Sequence, residues 1–251
     1  MKQNYMSAKS IFDNKKMFKI FLKTEKILKT RHFPAMSNFA NEEIRFFIKT
    51  ARKYIKRDEK IIEMGCGSGR VIKKLNEAGF SADGFDNNIL FIKYCRKHNL
   101  NAFYLDATKT IPKKYKTKYK IVGITLNTLF NFPKKIRRKW ILSAHDLLKE
   151  KGVLIMSIYS DNKFSRRTIK ERLKFYENVL TPPKGFRVKF FDKNKRKGIH
   201  LCDNHQKEIW FSECLSMNEV IKEVNSWKNF KIISIKPMKC GIAWEIILIK
   251  K

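Results

Sequence analysis

Cysteine is sparse and unpatterned in this chain. The five cysteines, Cys66, Cys95, Cys202, Cys214 and Cys240, are odd in number and contain no CxxC. That spacing excludes a disulfide framework and points to reduced thiols in a cytoplasmic compartment. Long apolar runs are missing too: nothing approaches the ~18 to 20 consecutive apolar residues of a membrane span, so no transmembrane segment is expected. The start, Met1-Lys2-Gln3-Asn4-Tyr5, leads into no apolar signal-peptide core. Internal repeats and low-complexity segments are absent apart from a lysine bias. Acidic residues are few, 23 against 56 Lys and Arg, which leaves a formal net charge of +33.

Such basicity is the footprint of a protein that meets nucleic acid or another anionic surface. The excess is spread along the chain, with local runs at Lys113-Lys114, Lys134-Lys135-Ile136-Arg137-Arg138-Lys139 and Lys193-Asn194-Lys195-Arg196-Lys197. No aromatic-basic binding module interleaves it, and diffuse lysine solvated on exposed faces also arises from compositional bias. A nucleic-acid partner through this surface is therefore one expectation, and a merely solvated surface the other. With 251 residues and 43% hydrophobic content, the chain can bury one sizeable core, or a core with a small appended unit.

Glycine is also scarce, ten residues in all, yet three of them stand at alternating positions in Glu63-Met64-Gly65-Cys66-Gly67-Ser68-Gly69. The apolar run Lys60-Ile61-Ile62 before it reads as a buried parallel strand. Behind it, Arg70-Val71-Ile72-Lys73-Lys74-Leu75 has apolar residues at helical spacing. A strand, a tight glycine turn and a helix make a cradle for a nucleotide or nucleoside. Glycine permits positive φ and close approach of a ligand to bare backbone, and the helix N-terminus offers unpaired N–H groups. The dinucleotide fingerprint G-x-G-x-x-G does not fit, because the third glycine comes one residue early. A Walker A loop does not fit either, since no Gly-Lys-Ser/Thr follows.

The strands downstream carry polar residues at their carboxyl ends. Ser81-Ala82-Asp83-Gly84-Phe85-Asp86-Asn87-Asn88 reads as a short strand closing on Asp86, roughly 20 residues past the glycine loop, where an acid accepts hydrogen bonds from ribose hydroxyls. Ala102-Phe103-Tyr104-Leu105-Asp106-Ala107 ends on Asp106. Tyr119 to Asn127 is a fourth strand opening into a polar turn, and Gly152 to Tyr159 a fifth, entered by a turn over Lys149 to Gly152. Ligands of open α/β sheets sit outside the carboxyl ends of the strands.

Glu63-x-Gly65-x-Gly67-x-Gly69 together with these strand ends resembles the class I S-adenosylmethionine (SAM) dependent methyltransferases, of the small-molecule type. The likeness is close from Ile61 to Tyr159 and loose elsewhere. It implies an α/β fold: a doubly wound, mostly parallel seven-stranded Rossmann-like sheet with N-terminal helices and a small antiparallel lid insertion. It also implies SAM as cofactor, with Glu63, Gly65, Cys66, Gly67, Gly69, Asp86, Asn87, Asp106, Ala107 and Leu126 around it. In the family the glycine loop packs beneath the methionine moiety and ribose, and an Asp like Asp106, followed by a small residue, faces the adenine amino group.

The divisions expected are a helical cap over residues 1–56, a SAM-binding core over 57–160, a lid insertion over 161–215, and completion of the sheet over 216–251. In the cap, residues 8–28 and 42–55 have helical spacing. The segment between them, Arg31-His32-Phe33-Pro34 to Phe39, reads as a turn-rich connector from which Arg31 or His32 meets cofactor or substrate. Asp161 to Leu180 reads as a helix. Three alternating runs follow, near Phe186–Phe191, Gly198–Cys202 and Lys207–Ser212, and read as the antiparallel insertion. Ser216 and Glu219 have the spacing of a capping box. Phe230–Lys236 and Trp244–Lys250 read as the closing strand pair. His200, Cys202 and His205 lack the regular pair spacing of a zinc site, and no metal is expected.

Methyl transfer from a sulfonium demands mainly positioning and exclusion of water. Asn127, Tyr159 and His32 are the candidate catalytic side chains. Asn127 either hydrogen-bonds an acceptor nitrogen or stabilises its own turn, and Tyr159 orients the substrate or stacks against it. Trp210, Phe211 and Trp244 form either an aromatic wall for a cation or core. The Leu126–Pro133 turn lacks the N/D-P-P-F/Y/W sequence of the amino-group nucleic-acid enzymes. The expected function is methyl transfer to a small-molecule acceptor, at nitrogen. Its rivals are an RNA or nucleic-acid methyltransferase using the basic surface, and a SAM-binding protein without methyl transfer.

Overall fold

The computed structural model describes residues 14–28, 32–161, 166–180, 187–193, 196–202 and 208–251. In chain order the elements are α1 (Asn14–Leu28), α2 (Pro34–Tyr54), β1 (Lys60–Met64), α3 (Arg70–Glu77), β2 (Ser81–Asp86), α4 (Ile89–Lys97), β3 (Ala102–Tyr104) and β4 (Tyr119–Ile124). They continue as α5 (Lys134–Leu147), β5 (Leu148–Tyr159), α6 (Arg166–Leu180), β6 (Arg187–Lys193), β7 (Arg196–Cys202), β8 (Glu208–Cys214), α7 (Met217–Asn225), β9 (Phe230–Pro237) and β10 (Ala243–Lys250). Seven strands form one sheet in the order β3-β2-β1-β4-β5-β10-β9, and β6-β7-β8 form a separate three-stranded sheet. The first five strands are parallel, whereas β10 runs antiparallel to both β5 and β9.

Strand alternation supplies a core on each face. In β5, Val153, Ile155 and Tyr159 join the helices α2, α3 and α6 on one side. Leu154, Met156 and Ile158 join α5 and α7 on the other. The Lys149–Gly152 turn lies within β5, where Lys151 has a φ of 55°. The strand order reverses between β1 and β4, so the two adjacent crossovers depart to opposite faces and leave a crevice above their carboxyl ends.

One sequence expectation changes here, and one open alternative is decided. The connector from His32 to Phe39 is largely helix: Pro34 opens α2, since a missing N–H and a fixed φ cost nothing in the first turn. With no side-chain cap on Phe33, the exposed donors are met from outside, and Glu171 of α6 accepts from the Ala35 N–H at 2.7 Å. Trp244 is core and not a cation wall: it is buried, and its indole N–H donates to the Leu215 carbonyl at 2.7 Å. Arg31, His205 and the side chains of Trp210 and Phe211 lie outside the described residues. The Ser216–Glu219 capping box is present at the start of α7.

Candidate active site

The glycine loop leaves β1 at the reversal point. Gly65, Gly67 and Gly69 all have positive φ, 67°, 53° and 80°. A Cβ on Gly65 would lie 3.0 Å from the Trp140 ring and 3.3 Å from Thr128, inside the space that the loop keeps open. Gly69 serves another purpose. It is the left-handed residue before α3, and a Cβ there would lie 2.5 Å from Leu100 and 3.0 Å from the Cys95 sulfur. The third glycine therefore seats the loop on the end of α4, and it lines neither of the cavities described next.

A cavity of about 200 Å³ sits on the loop, lined by Gly65, Gly67, Asp86, Asn87, Asp106 and Ala107 with Phe21, Phe91, Phe132 and Trp140. A smaller one of about 30 Å³ adjoins it through Phe21, Gly65, Gly67 and Thr128 and reaches Glu63, Cys66, Leu126 and Glu25. Nine of the ten residues expected at the cofactor thus line one continuous crevice, with Gly69 the exception. Asp86 reaches back to the loop, accepting from Gly67 N at 3.1 Å and from Asn88 N at 2.9 Å. Burial pushes its carboxyl above the usual range, against the pull of those N–H donors. Asp106 accepts from the N–H and hydroxyl of Thr108, both at 2.8 Å. The neighbouring Cys95 thiol and burial hold the Cys66 thiol well above its ordinary value, so it lines the crevice as an unreactive thiol.

Glu63 tests whether this crevice suits an amino-acid nucleoside. One oxygen accepts from the Thr125 hydroxyl at 2.7 Å; the other is buried with no hydrogen-bond partner. Burial pushes the carboxyl up to about 8, despite the lowering effect of Thr125 and Arg70. Glu63 lines the small cavity with one acceptor unspent, the kind of group an ammonium needs, and the acids Asp86 and Asp106 line the larger cavity. The donor set fits SAM.

The candidate catalytic side chains fall differently. Asn127 is buried, and its amide is fully engaged. Nδ2 donates to Ser212 Oγ at 2.9 Å and to the Glu213 carbonyl at 3.0 Å, while Oδ1 accepts from Tyr159 N at 2.9 Å. It pins the turn after β4 to β5 and to the lid strand β8, and of its two readings this favours the turn-stabilising one over a direct bond to the acceptor. Tyr159 is buried as well, accepting from the Tyr176 hydroxyl at 3.0 Å beneath the Arg172 guanidinium, 4.4 Å from its ring. Burial first, then the neighbouring Tyr176, keeps its hydroxyl well above the ordinary value. His32 is exposed ahead of α2 and lines neither cavity.

Sequence reasoning missed the aromatic walls and the wiring of the cap. Phe21 of α1, Phe132 and Trp140 of α5 reach the cavity from far along the chain. Glu43 of α2 is fully buried, accepts from Leu126 N at 2.7 Å and from the Ser157 hydroxyl, and pairs with Arg70. Leu126 and Asn127 have positive φ, 50° and 57°, a conformation that costs non-glycine residues energy and persists when surroundings over-determine it. The only advance signal was a pair of acids, Glu42-Glu43, in a basic chain.

A glycine cradle at the reversal point of a 3-2-1-4-5 sheet with an antiparallel partner, ending in a SAM-compatible donor set, defines a class I SAM-dependent methyltransferase. A family model described as a methyltransferase domain matches residues 55–231, and the chain belongs to that family. Among solved structures, a protein of Pyrococcus horikoshii OT3 is 17% identical, with 89% of this chain and 93% of that one covered at a TM-score of 0.60. A SAM-dependent methyltransferase from Clostridium acetobutylicum ATCC 824 is 12% identical over 84% and 91%, TM-score 0.55. The glycopeptide N-methyltransferase MtfA, complexed with SAM, is 12% identical over 84% and 93%, TM-score 0.56. At these identities the likeness is one of fold. A comparison with curated proteins finds no match.

Proposed function

We propose that the chain transfers a methyl group to the nitrogen of a small-molecule acceptor beneath the β6–β8 lid. The observation that carries this reading is the bond from Asn127 to β8, which ties a roof strand to the turn beside Glu63 and Leu126. A roof fastened there suits an acceptor small enough to be enclosed. SAM supplies a sulfonium methyl already activated for in-line displacement. Glu63 would hold the ammonium, Asp86 the ribose hydroxyls, and Asp106 with Ala107 the adenine edge, while Phe21, Phe132 and Trp140 keep water out. No strong base faces the crevice from the candidate side chains: Asn127 is engaged and Tyr159 holds its proton. A neutral amine needs none, whereas a hydroxyl acceptor does. The likeness in fold to an N-methyltransferase agrees.

The test is incubation with methyl-labelled SAM and a metabolite extract, followed by mass identification of the labelled product. A labelled amine of low mass, with stoichiometric S-adenosylhomocysteine, supports the reading. Label found only in RNA shifts it to the nucleic-acid enzyme, and no S-adenosylhomocysteine at all leaves a binding protein. In parallel, Asp86→Ala should weaken SAM binding by about 1.5–3 kcal/mol, read by quenching of Trp140 in the cavity wall. Unchanged affinity would remove Asp86 from the ribose.

A further inference from the structure

The outer face of α1 and α4 carries a charge that the transfer site does not use. Lys15, Lys19 and Lys23 follow at four-residue spacing on α1, with Lys26 three further on, which makes one row along the helix. The inner side of the helix sets Phe18 against Phe91 and Tyr94 of α4, with ring centroids 5.4 and 5.8 Å apart. The lysine row therefore runs beside α4, whose Lys93, Arg96 and Lys97 are exposed. Over the two helices eight Lys and Arg stand against one acid, Glu25, which accepts from the Ser68 hydroxyl and also lines the concavity between the helices. The chain as a whole holds 56 against 23, so this face exceeds the general bias.

Unpaired cations occur here as they do on α5, where Lys135, Arg138 and Lys139 are exposed and, among the described residues, form no ion pair. What separates this face is a concavity with rings at its edge. On α5, Lys134 pairs with Glu223, and Arg137 with Glu213 and Glu223. Among the described residues, Lys15, Lys19, Lys26, Lys93 and Lys97 form no ion pair. Between α1 and α4 a concavity of about 520 Å³ is lined by Lys19, Leu22, Lys23, Glu25, Lys26 and Tyr94. At its edge Tyr94 and His98 stack one turn apart, centroids 4.1 Å and planes 32° from each other.

We propose that this face docks a single-stranded nucleic acid, with its phosphates along the α1 lysines and a base on the Tyr94–His98 pair. A cationic row beside a ring platform is what a single strand needs: backbone charge is neutralised while exposed bases stack. A membrane would use the charges and ignore the rings. Inserting into lipid also takes a group of exposed apolar side chains; among the described side chains α1 shows no exposed large hydrophobic and α4 only Ile89. The lysines belong to a different face of α1 from Phe21, Thr24 and Leu28, which line the cofactor crevice, with Glu25 shared between the two, so the strand positions the enzyme, whatever the acceptor.

The experiment uses the full chain with SAM and a labelled oligonucleotide of about 12 nucleotides, RNA or DNA, followed by anisotropy between about 50 and 200 mM salt. Replacing Lys15, Lys19 and Lys26 by Gln should cost about tenfold or more in affinity and lower the salt slope by about 2, from ~0.7 for each lost phosphate contact. Tyr94→Ala should weaken binding by about 5- to 100-fold and leave the slope unchanged. Neutralising Lys135, Arg138 and Lys139 on α5 is the matched control, with an expected loss under about threefold. Equal losses from the α1 and α5 sets, or an inert Tyr94→Ala, overturn the proposal. Displacement of the oligonucleotide by phosphatidylserine vesicles would assign the face to membranes instead. Should the α1 set also lose SAM binding, Lys93→Gln with Lys97→Gln on α4 repeats the test without touching α1. Failure of the methyltransferase reading looks different: SAM binding is then missing in the unaltered protein while oligonucleotide binding persists.

Discussion

The cofactor side and the lid side of this crevice are built by different means. Around the glycine loop the bonds of the two aspartates are short in sequence, Asp86 to Gly67 across 19 residues and Asp86 to Asn88 and Asp106 to Thr108 across two. Ser68 to Glu25 spans 43, and Glu63 to Thr125 spans 62. On the lid side Glu43 reaches Leu126 across 83 residues and Ser157 across 114, and Asn127 reaches Ser212 across 85. A local constellation repeats wherever its motif repeats. A long-range one depends on how cap, sheet and lid are docked, which lets the acceptor side vary while the cofactor side stays constant. The comparison predicts that damage to the lid side spreads into stability, and damage to the cofactor side stays in binding.

The largest effect is expected at Glu43. Replacing it by Ala leaves the partly buried Arg70 without its carboxylate and strips the Leu126 N–H of its acceptor. Removing one partner of a buried pair costs about 3–5 kcal/mol. The midpoint of urea unfolding should fall accordingly, and SAM binding should weaken with it because Leu126 shifts. A loss under about 1 kcal/mol would mean that α2 is not the brace described here.

Glu63 breaks the comparison from the cofactor side, since its effect on stability has the opposite sign. Burial holds its folded value near 8, against 4.5 for the ordinary carboxyl. Between those values the native protein keeps a proton that the unfolded chain has released. Stability is therefore lost as pH rises from about 4.5 to about 8, by on the order of 4 kcal/mol, and is flat beyond. Glu63→Gln should remove this slope and leave the protein more stable at pH 8, yet weaken SAM binding. Thermal unfolding at several pH values, with and without SAM, checks both halves. A parent and variant with the same pH slope would show that Glu63 is ionised in the fold.

Asn127 sharpens the same contrast at a smaller scale. Asn127→Ala removes three hydrogen bonds and leaves the Tyr159 N–H buried without an acceptor, a cost of about 1–3 kcal/mol. SAM affinity should hold while turnover falls, because the lid loses its anchor. Hydrogen exchange of β8 should quicken. If turnover holds and SAM affinity drops, Asn127 belongs to the cofactor side after all.

How much of this was legible in the chain follows from the same distinction. Gly65, Gly67, Asp86 and Asp106 announce themselves because each does its work within a few residues of a strand end. The central strands were legible too, since burial on both faces leaves continuous apolar runs such as Val153–Met156, whereas β9 at the sheet edge shows through its alternation. Asn127 left two readings open, an acceptor contact or a turn-stabilising Asn, because a polar residue in a turn looks the same whether it faces a ligand or a strand 85 residues away. Phe21 and Trp140 gave no signal, and Glu43 only that of one acid of a pair in a basic chain, for their importance comes from what tertiary packing sets opposite them. Pro34 misled, because a proline marks a helix start as readily as a turn.

The smallest effect belongs to a region that neither side of the crevice uses. Ser216 accepts from Glu219 N at 3.3 Å, and Glu219 accepts from Ser216 N at 2.8 Å, closing the box at the start of α7. Ser216→Ala should cost about 1 kcal/mol. It should change neither SAM affinity nor turnover, because α7 packs against β9 behind the sheet and no residue of it lines either cavity. It is the baseline that the other variants need, a stability loss of known cause with no functional echo. Should Ser216→Ala slow turnover, then β8, which leads through Leu215 into this cap, transmits strain from α7 to the Asn127 anchor. The lid side would then extend to α7, which now reads as scaffold.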